Sequence, residues 1–301
     1  MLMKNVHTTV LLQEIVDLLN LQKGDIVVDG TLGAGGHTLK MLEESNGNIH
    51  VLGIDLDQKA LDRSLERITK AQYQDKVVLV KGNFGEIEKS IGETNWKSIN
   101  KVVLDLGFSS NQLELEERGF SFMRDEPLLM TLSDNPEDTT AYDVVNHWSE
   151  EILGDILLGF GEEKFSKRIA RNIVEARKIE TIQTTFQLAA IVKRSVPLFY
   201  QRSKIHPATK TFQAIRIAVN RELENLKQFL ESVPRIIAPK GRVAIISFHS
   251  LEDRIVKRAF LKLEEEGIGI RITKKPLVPT DDEIRANPRS RSAKLRVFEA
   301  H

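Results

Sequence analysis

The chain has 301 residues, of which 41% are apolar, so it is long enough to form one sizeable domain or two smaller ones. It contains no cysteine, which excludes disulfides, thiolate metal sites and a cysteine nucleophile. The 43 Lys and Arg residues balance 43 Asp and Glu residues, and this balance argues against a general polyanion binder. The two halves differ, however: the first 150 residues carry 14 basic and 25 acidic side chains, and the remaining residues carry 29 and 18.

The N-terminal segment lacks the pattern of a secretory signal, because Glu14 and Asp17 interrupt its apolar stretch. No run in the chain approaches the roughly 18 apolar residues that a membrane span needs. We therefore expect a cytoplasmic protein that does not associate with membranes.

Strands and helices alternate from the N-terminus to about residue 105. Apolar spacing predicts a first helix over residues 10–19, and this helix is followed by a series of short apolar runs. The predicted strands cover residues 26–28, 50–54, 77–80 and 101–105, with helices at 36–45 and 61–68 between them. Such alternation is typical of a parallel sheet covered by helices. Three of the strands end at or beside an aspartate, namely Asp29, Asp55 and Asp105.

The alternation stops after the fourth strand. Residues 111–209 are rich in charged helical stretches and show no clear strand pattern. A long helix is predicted over 208–232, followed by a fifth strand over 242–248. Residues 268–272 and 295–298 are predicted to close the sheet as a hairpin. These patterns together predict an α/β sheet interrupted by a helical insertion.

A glycine-rich turn, residues 29–38, joins the first strand to the next helix. Such a turn lets the backbone approach a carboxylate or phosphate closely. It is not a complete dinucleotide fingerprint, because Thr38 stands where a G-x-G-x-x-G motif starting at Gly33 needs glycine. Asp55 ends the second strand, where a carboxylate can accept hydrogen bonds from both hydroxyls of an adenosine ribose. The two features predict an adenosine-containing cofactor, with NAD and S-adenosylmethionine both open; a turn without a ligand and a helix-capping aspartate are the alternatives.

Asp105 and the residues up to Gln112 follow the fourth strand. In an open parallel sheet the ligand crevice lies at the carboxyl ends of the strands, beside the point where the strand order reverses. We therefore expect this loop to face the ligand from the other side of the first strand. A capping turn that leads into the insertion is an equally good interpretation of the same residues.

Eight sequence blocks, in this order along nearly the whole chain, resemble the bacterial S-adenosylmethionine-dependent methyltransferases that modify the N4 amine of a cytosine in small-subunit 16S ribosomal RNA, the RsmH/MraW family. Several blocks in the right order are far more specific than one glycine motif. The blocks are residues 7–12, 29–37, 105–107, 117–122, 161–163, 206–213, 246–254 and 287–292.

The resemblance implies a Rossmann-like class I methyltransferase fold with an inserted helical domain. Residues 1–110 and 210–301 would form the methyltransferase domain, and residues 111–209 a substrate-recognition domain. It also implies S-adenosylmethionine as the cofactor, with 16S ribosomal RNA in the small subunit as partner and no metal. The implied cofactor contacts are Gly35, Gly36, His37, Asp55, Phe84, Asp105 and Gln112.

Asp105 is also the predicted catalytic residue. The lone pair of a cytosine amine is delocalised into the ring, so the enzyme must align the nitrogen with the methyl group and favour its developing charge with hydrogen-bond acceptors. We expect the Asp105 carboxylate to contact both cofactor and target amine. Phe248 and His249, which follow the fifth strand, are candidates to stack on the flipped base, although a loop histidine is often satisfied locally.

The sequence departs from the family pattern at one segment. Family members commonly read Pro-Leu-Asp-Met-Arg-Met-Asp where this chain has residues 127–133, so Leu129, Thr131 and Ser133 replace two carboxylates and a guanidinium. Phe108 and Asn111 also replace the usual valine and proline. These changes bear on contacts with the substrate and leave the predicted cofactor residues intact.

Basic side chains in the second half predict a path for RNA phosphates. Gln213, Arg216 and Asn220, on the polar face of the 208–232 helix, are further candidates for RNA contact, with Lys210 one turn earlier. A solvated surface is the alternative interpretation of each group. The basic clusters are Lys164-Lys167-Arg168-Arg171, Arg202-Lys204-His206-Lys210 and Arg285-Arg289-Arg291-Lys294-Arg296.

Three other functions stay open on sequence alone. The first is a methyltransferase that acts on DNA, protein or a small molecule. The second is an NAD-dependent oxidoreductase, which only the glycine turn and Asp55 support. The third is a non-catalytic ribosome-assembly factor with the same fold, to which the altered segment 127–133 gives some weight.

Overall fold

The computed structural model describes residues 9–107 and 117–301. The chain divides into two compact units. The sheet unit comprises Met1–Gly107 and Leu223–His301, and the helical unit comprises Phe108–Glu222. The helical unit therefore extends through Glu222, whereas the sequence predicts an insertion over residues 111–209.

The sheet unit contains one seven-stranded sheet in the order β3-β2-β1-β4-β5-β7-β6. Strands β1 to β5 pair in parallel, and β7 pairs antiparallel with both β5 and β6. The order reverses at β1, whose neighbours are β2 and β4, so the ligand crevice of such a sheet is expected at the carboxyl end of β1. The predicted α/β sheet and its C-terminal hairpin are confirmed. The strands are β1 (Ile26–Asp29), β2 (His50–Asp55), β3 (Val77–Lys81), β4 (Ile99–Asp105), β5 (Ile237–Ser247), β6 (Gly269–Arg271) and β7 (Lys294–Ala300).

Helices cover both faces of this sheet, which explains why its strands are nearly continuous apolar runs. Successive side chains of a strand point to opposite faces. Val28 accordingly faces a core that includes Phe229 and Phe260, whereas Val27 faces a core that includes Ile15. The α-helices of the described residues are α1 (Leu12–Leu19), α2 (Gly36–Glu44), α3 (Gln58–Lys70), α4 (Ile87–Gly92), α5 (Ala141–His147), α6 (Glu150–Gly159), α7 (Ser166–Ile179), α8 (Thr185–Ser195), α9 (Leu198–Gln201), α10 (Ala208–Asn220), α11 (Glu222–Ile236), α12 (Ser250–Glu265) and α13 (Asp281–Ala286).

The helical unit has its own core, to which α5, α6, α7, α8 and α10 all contribute. Thr140 and Thr184 begin α5 and α8 as capping boxes, since each hydroxyl accepts a hydrogen bond from the backbone of the third helical residue. No strand longer than an isolated bridge occurs in the described residues of this unit. Buried core residues, one from each contributing helix, are Val144, Leu157, Ile173, Leu188 and Ile215.

The predicted helix over 208–232 is wrong, because two helices, α10 and α11, occupy this region. Arg221 between them adopts a left-handed conformation with φ 50°, which ends α10. The apolar side chains on either side of this residue belong to different cores: Phe212 packs in the helical unit and Leu226 packs in the sheet unit. Among the described residues, no helix is both long and apolar enough to cross a membrane.

Candidate active site

The glycine-rich turn leads from β1 into α2 and is held in place by α3. Gly35 has φ 71°, a left-handed conformation that favours glycine, and it immediately precedes α2. The Ser64 hydroxyl donates to the Gly33 carbonyl at 2.9 Å, and the Arg67 guanidinium donates to the Ala34 carbonyl. The first N–H groups of a helix have no partner within it, so the fixed turn aims the start of α2 at an anionic or polar ligand.

Asp55, at the end of β2, is bonded directly to this turn. Its Oδ2 atom accepts a hydrogen bond from the Gly33 N–H at 2.8 Å, and its Oδ1 atom accepts one from the Asp57 N–H at 2.9 Å. Burial raises the pKa of the Asp55 carboxyl to about 6, although both hydrogen bonds act to lower it. Each carboxylate oxygen keeps a further lone pair, so Asp55 is able to accept hydrogen bonds from two ligand hydroxyls.

Asp105 ends β4 on the other side of β1. Its backbone N–H donates to the Thr31 hydroxyl of the glycine turn at 2.6 Å. The Asp105 Oδ2 atom lies 3.5 Å from Nε2 of His37, which is buried in the first turn of α2. Among the described residues, neither ring nitrogen of His37 has a hydrogen-bond partner, and neither does Oδ1 of Asp105. Buried polar atoms without partners are rare and costly, so these atoms are arranged for a polar ligand.

Asp29, at the end of β1, holds the same turn through hydrogen bonds from residues of the turn itself. It is fully buried, accepts a hydrogen bond from the Thr38 hydroxyl at 2.7 Å and accepts a weaker one from the Thr31 N–H at 3.3 Å. Burial raises the pKa of the Asp29 carboxyl, and the neighbouring His37 acts in the opposite direction. The three strand-end aspartates therefore lie around one turn, as the predicted parallel order requires.

A model of the MraW methylase family matches residues 4–301 of the chain. The chain belongs to this family. It is 46% identical over 291 residues to the "Ribosomal RNA small subunit methyltransferase H" of a Sulfurihydrogenibium species, an alignment that covers 97% of this chain and 98% of that protein. It is 42% identical over 308 residues to the protein of the same name in Brevibacillus brevis, with 97% of each chain covered. The resemblance found in the sequence motifs is thus confirmed.

As a member of this methylase family, the protein uses S-adenosylmethionine, and the site described above fits this cofactor. A Cβ atom added at Gly36 would lie 2.0 Å from the Thr9 hydroxyl, so the backbone at the start of α2 is packed closely and has no space for a side chain. The unpartnered atoms of His37 and Asp105 offer polar contacts to an amino acid group and a sulfonium, and Asp55 offers acceptors to a ribose.

The affinity for S-adenosylmethionine should fall as the pH drops below about 6, until it reaches the affinity of the form with a neutral Asp55. The sign follows from the raised pKa of Asp55: ribose hydroxyls donate to the ionised carboxylate, and protonation at lower pH removes an acceptor. Titration calorimetry between about pH 5 and pH 8 measures this dependence. Asp55→Asn should bind the cofactor more weakly and lose the dependence. Equal wild-type affinity at both ends of the range would contradict the assignment.

Phe84 follows β3 and lies near the end of β1, where its Cβ atom is 3.2 Å from the position that a Cβ on Gly30 would occupy. Its ring is half-buried and meets Phe229 edge-on, with ring centroids 6.3 Å apart. One edge of the ring therefore belongs to the core, as a lone phenylalanine after a strand often does. Gln112, Phe108 and Asn111 lie outside the described residues.

His249 has a structural role that its sequence position did not reveal. It is the N-cap of α12: its Nδ1 atom accepts a hydrogen bond from the Glu252 N–H, while Oε2 of Glu252 accepts from the N–H groups of Phe248 and His249 at 2.8 and 3.2 Å. This reciprocal cap satisfies the start of the helix. Phe248 is half-buried and packs against the sheet-unit core that includes Ile15.

The three α10 residues that are candidates for RNA contact also form hydrogen bonds within the helical unit, and their contact with RNA stays a prediction. Gln213 donates to the Phe160 carbonyl at 3.0 Å, and Arg216 forms a two-pronged ion pair with Glu222. Asn220 donates to the Met130 carbonyl and accepts from the Leu132 N–H, both at 2.7 Å. All three side chains are only partly buried.

The three basic clusters differ in how many of their charges have partners. Lys294 and Arg296 pair with Asp253, and Arg285 pairs with Asp282. The remaining two clusters lie in the helical unit, where most of their cations are exposed.

Sequence reasoning missed Ser64 and Arg67, whose side chains bond the glycine turn. They lie three residues apart on one face of α3, but nothing in their spacing indicates to which carbonyls they donate.

Proposed function

We propose that this methylase transfers the methyl group of S-adenosylmethionine to the exocyclic N4 amine of a cytidine in 16S ribosomal RNA, acting on the small ribosomal subunit in the cytoplasm. The names of its relatives and the eight sequence blocks support this substrate. The single observation that carries the proposal is the pairing of Asp105 with the buried His37, since polar atoms of both side chains lie without hydrogen-bond partners beside the glycine turn in the described part of the chain.

The proposed cofactor contacts extend along the carboxyl ends of β1, β2 and β4. The start of α2 would hold the methionine end, Asp55 the ribose and Phe84 the adenine. Gln112 and Asp105 would complete the site, and the helical unit would recognise the substrate. The full set of proposed contacts is Gly35, Gly36, His37, Asp55, Phe84, Asp105 and Gln112.

S-adenosylmethionine supplies a methyl group bonded to a positively charged sulfur, which leaves with the bonding electron pair. The protein must hold the cytosine amine in line with that methyl group, at about 3 Å. Oδ1 of Asp105 would accept a hydrogen bond from the amine, favouring a nitrogen whose lone pair is free to attack. As the nitrogen becomes positively charged, the carboxylate stabilises it until one amine proton is lost to Asp105 or to water.

Methylation of small subunits isolated from cells that lack the gene tests this proposal. With S-adenosylmethionine labelled at the methyl group, we expect label in 16S ribosomal RNA, and digestion to nucleosides should yield N4-methylcytidine. Subunits from cells that carry the gene are the matched control and should accept little label, because the site is already modified. Label in protein, in DNA or at another cytidine atom would refute the proposed substrate.

A further inference from the structure

One exposed apolar surface of the helical unit lies in residues 193–206, from the end of α8 through α9. Leu198, Phe199 and Ile205 are 68%, 73% and 61% exposed. Large apolar side chains grouped in this way mark a binding surface more often than isolated ones do. We refer to these residues and the cations among them as the 193–206 surface.

The residues of this surface are held in a defined arrangement. The Gln201 side chain donates to the carbonyls of Lys193 and Val196 at 2.9 and 3.0 Å, which folds α9 back onto the end of α8. Phe199 rests edge-on against Phe165, with ring centroids 6.4 Å apart, and still leaves most of its surface exposed. An aromatic ring fixed at one edge loses little conformational freedom when a flat partner stacks on it.

The C-terminal end of the surface, at His206, is also held by an aromatic contact. His206 stacks on Phe122, with ring centroids 4.6 Å apart and planes 23° from parallel. Burial lowers the pKa of His206, and the charge of Lys193 acts in the same direction. Both segments of the surface are therefore held by contacts within the helical unit.

The charges on this face are all of one sign. Residues 193–210 contain no aspartate or glutamate. Lys193, Arg194, Arg202 and Lys204 are exposed, and within the described residues none of the four forms an ion pair. Unpaired cations around an exposed aromatic ring match the chemistry of single-stranded RNA, which offers phosphates and stackable bases together.

A second copy of the chain is a poorer occupant. A symmetric dimer would bring the same four cations of each copy face to face, with no carboxylate on the surface to offset them. Like charges at close range repel each other, so the exposed apolar area would not suffice to hold such a dimer.

We propose that the 193–206 surface binds a single-stranded segment of the RNA substrate, with Phe199 stacked on one base and Arg202 and Lys204 in contact with phosphates. This inference rests on the proposed function, because it assigns to that reaction a contact with RNA outside the cofactor site. The target cytidine must be unpaired to reach a methyl donor, so its neighbours are available as single strand.

Phe199→Ala tests the stacking contact. We expect the variant to bind a fluorescent single-stranded RNA of about 12 nucleotides about tenfold more weakly than wild type. Its thermal unfolding and its affinity for S-adenosylmethionine should not change, since the ring is 73% exposed. Phe199→Trp, which keeps a stacking face, should restore binding. The matched control is Phe186→Ala, because Phe186 is an exposed phenylalanine of the same unit whose N–H donates to the Asp125 carboxylate, outside the 193–206 surface.

Arg202→Gln with Lys204→Gln tests the phosphate contacts. The slope of log affinity against log salt concentration should decrease in magnitude by about 1.4, which is the value for two phosphate contacts on single strands. Lys23→Gln with Lys70→Gln removes two exposed cations from the sheet unit and should leave the slope unchanged.

The outcomes separate this surface from the proposed function. If wild type methylates 16S ribosomal RNA and Phe199→Ala binds the oligonucleotide normally, the proposed RNA binding by the 193–206 surface is refuted and the proposed function is retained. If Phe199→Ala weakens binding only to assembled subunits, the surface docks on protein and this proposal is overturned. If wild type methylates no ribosomal RNA while Phe199→Ala still loses oligonucleotide binding, the proposed substrate fails and the surface stands.

Discussion

Replacing Asp105 by alanine should lower the rate of methyl transfer by about a thousandfold or more. The Oδ1 atom of Asp105 is buried and has no hydrogen-bond partner in residues 9–107 and 117–301, and Oδ2 lies 3.5 Å from the His37 ring. Only a group that interacts more strongly with the transition state than with the bound substrate accelerates the reaction. A carboxylate aimed at a nitrogen that becomes positive has this property, and alanine has neither its charge nor its acceptors.

Single-turnover methylation, measured with saturating cofactor and RNA, isolates this step from binding. Asp105→Asn keeps the shape and one acceptor, so it should retain more activity than Asp105→Ala and still fall well below wild type. The matched control is Asp25→Asn, which also removes a buried carboxylate from the sheet unit but at the opposite end of β1, where Asp25 pairs with Lys101. It should reduce stability and leave single-turnover rates intact. Near-normal turnover of Asp105→Ala would remove Asp105 from the mechanism.

Most of the sheet was predictable because its signal is local. Strands buried on both faces must be apolar throughout, and short apolar runs that end at aspartates marked β1, β2 and β4. The exception is the start of β5 at Ile237, five residues before the predicted start at Arg242. The pairing with β4 is irregular there, and Lys240 has φ 59°, so a turn-like sequence is built into the strand as a bulge.

The break between α10 and α11 was not predictable from apolar spacing. The spacing continues through Val219 and Leu223 without a shift, and Arg221 at the break is neither glycine nor proline. The left-handed conformation of Arg221 comes from tertiary packing, since the two helices bury their apolar sides in separate cores. A periodicity shows which residues are buried but not whether they share one core.

The candidate site also has a part that the sequence predicts and a part that it does not. The glycine turn and Asp55 were predictable, because the turn chemistry is local and parallel strands bring their carboxyl ends together. The hydrogen bonds from Ser64 and Arg67 to the turn depend on how α3 docks, and a serine or arginine on a helix carries no signal of that docking. The intramolecular partners of Gln213, Arg216 and Asn220 on α10 were not predictable either, since a polar face indicates hydrogen-bonding capacity but not the partner.

The altered segment 127–133 is held by its backbone, which limits what its substitutions change. The Arg118 guanidinium donates to the carbonyls of Thr131, Leu132 and Ser133 at 3.1 to 3.2 Å. The Arg118 carbonyl in turn accepts from the Met130 N–H at 2.6 Å. Any side chain at 131 and 133 supplies the same carbonyl groups, so loss of the family's charged residues there does not unfold the segment or argue for a non-catalytic protein.

Arg118→Ala should lower the free energy of unfolding of the helical unit by about 4 kcal/mol. Arg118 is 7% exposed, so its removal leaves three carbonyls without their shared donor in a place that water does not easily reach. Urea unfolding followed by tryptophan fluorescence measures the change, because Trp148 packs against the core of the same unit. Arg177→Ala is the graded control: Arg177 donates to a single carbonyl, that of Val145, and its loss should cost about 1 kcal/mol.

Arg118→Ala also tests whether cofactor binding and RNA recognition belong to different units. The proposed cofactor contacts among the described residues all lie in the sheet unit, so folded Arg118→Ala protein should bind S-adenosylmethionine with wild-type affinity. Methylation of small subunits should nevertheless fall, since the segment that Arg118 holds belongs to the unit proposed to recognise RNA. If Arg118→Ala unfolds no more readily than Arg177→Ala, the three carbonyl contacts are not what holds segment 127–133. Loss of cofactor affinity in the folded variant would instead mean that this segment supports the cofactor site, and the division of labour between the two units would be wrong.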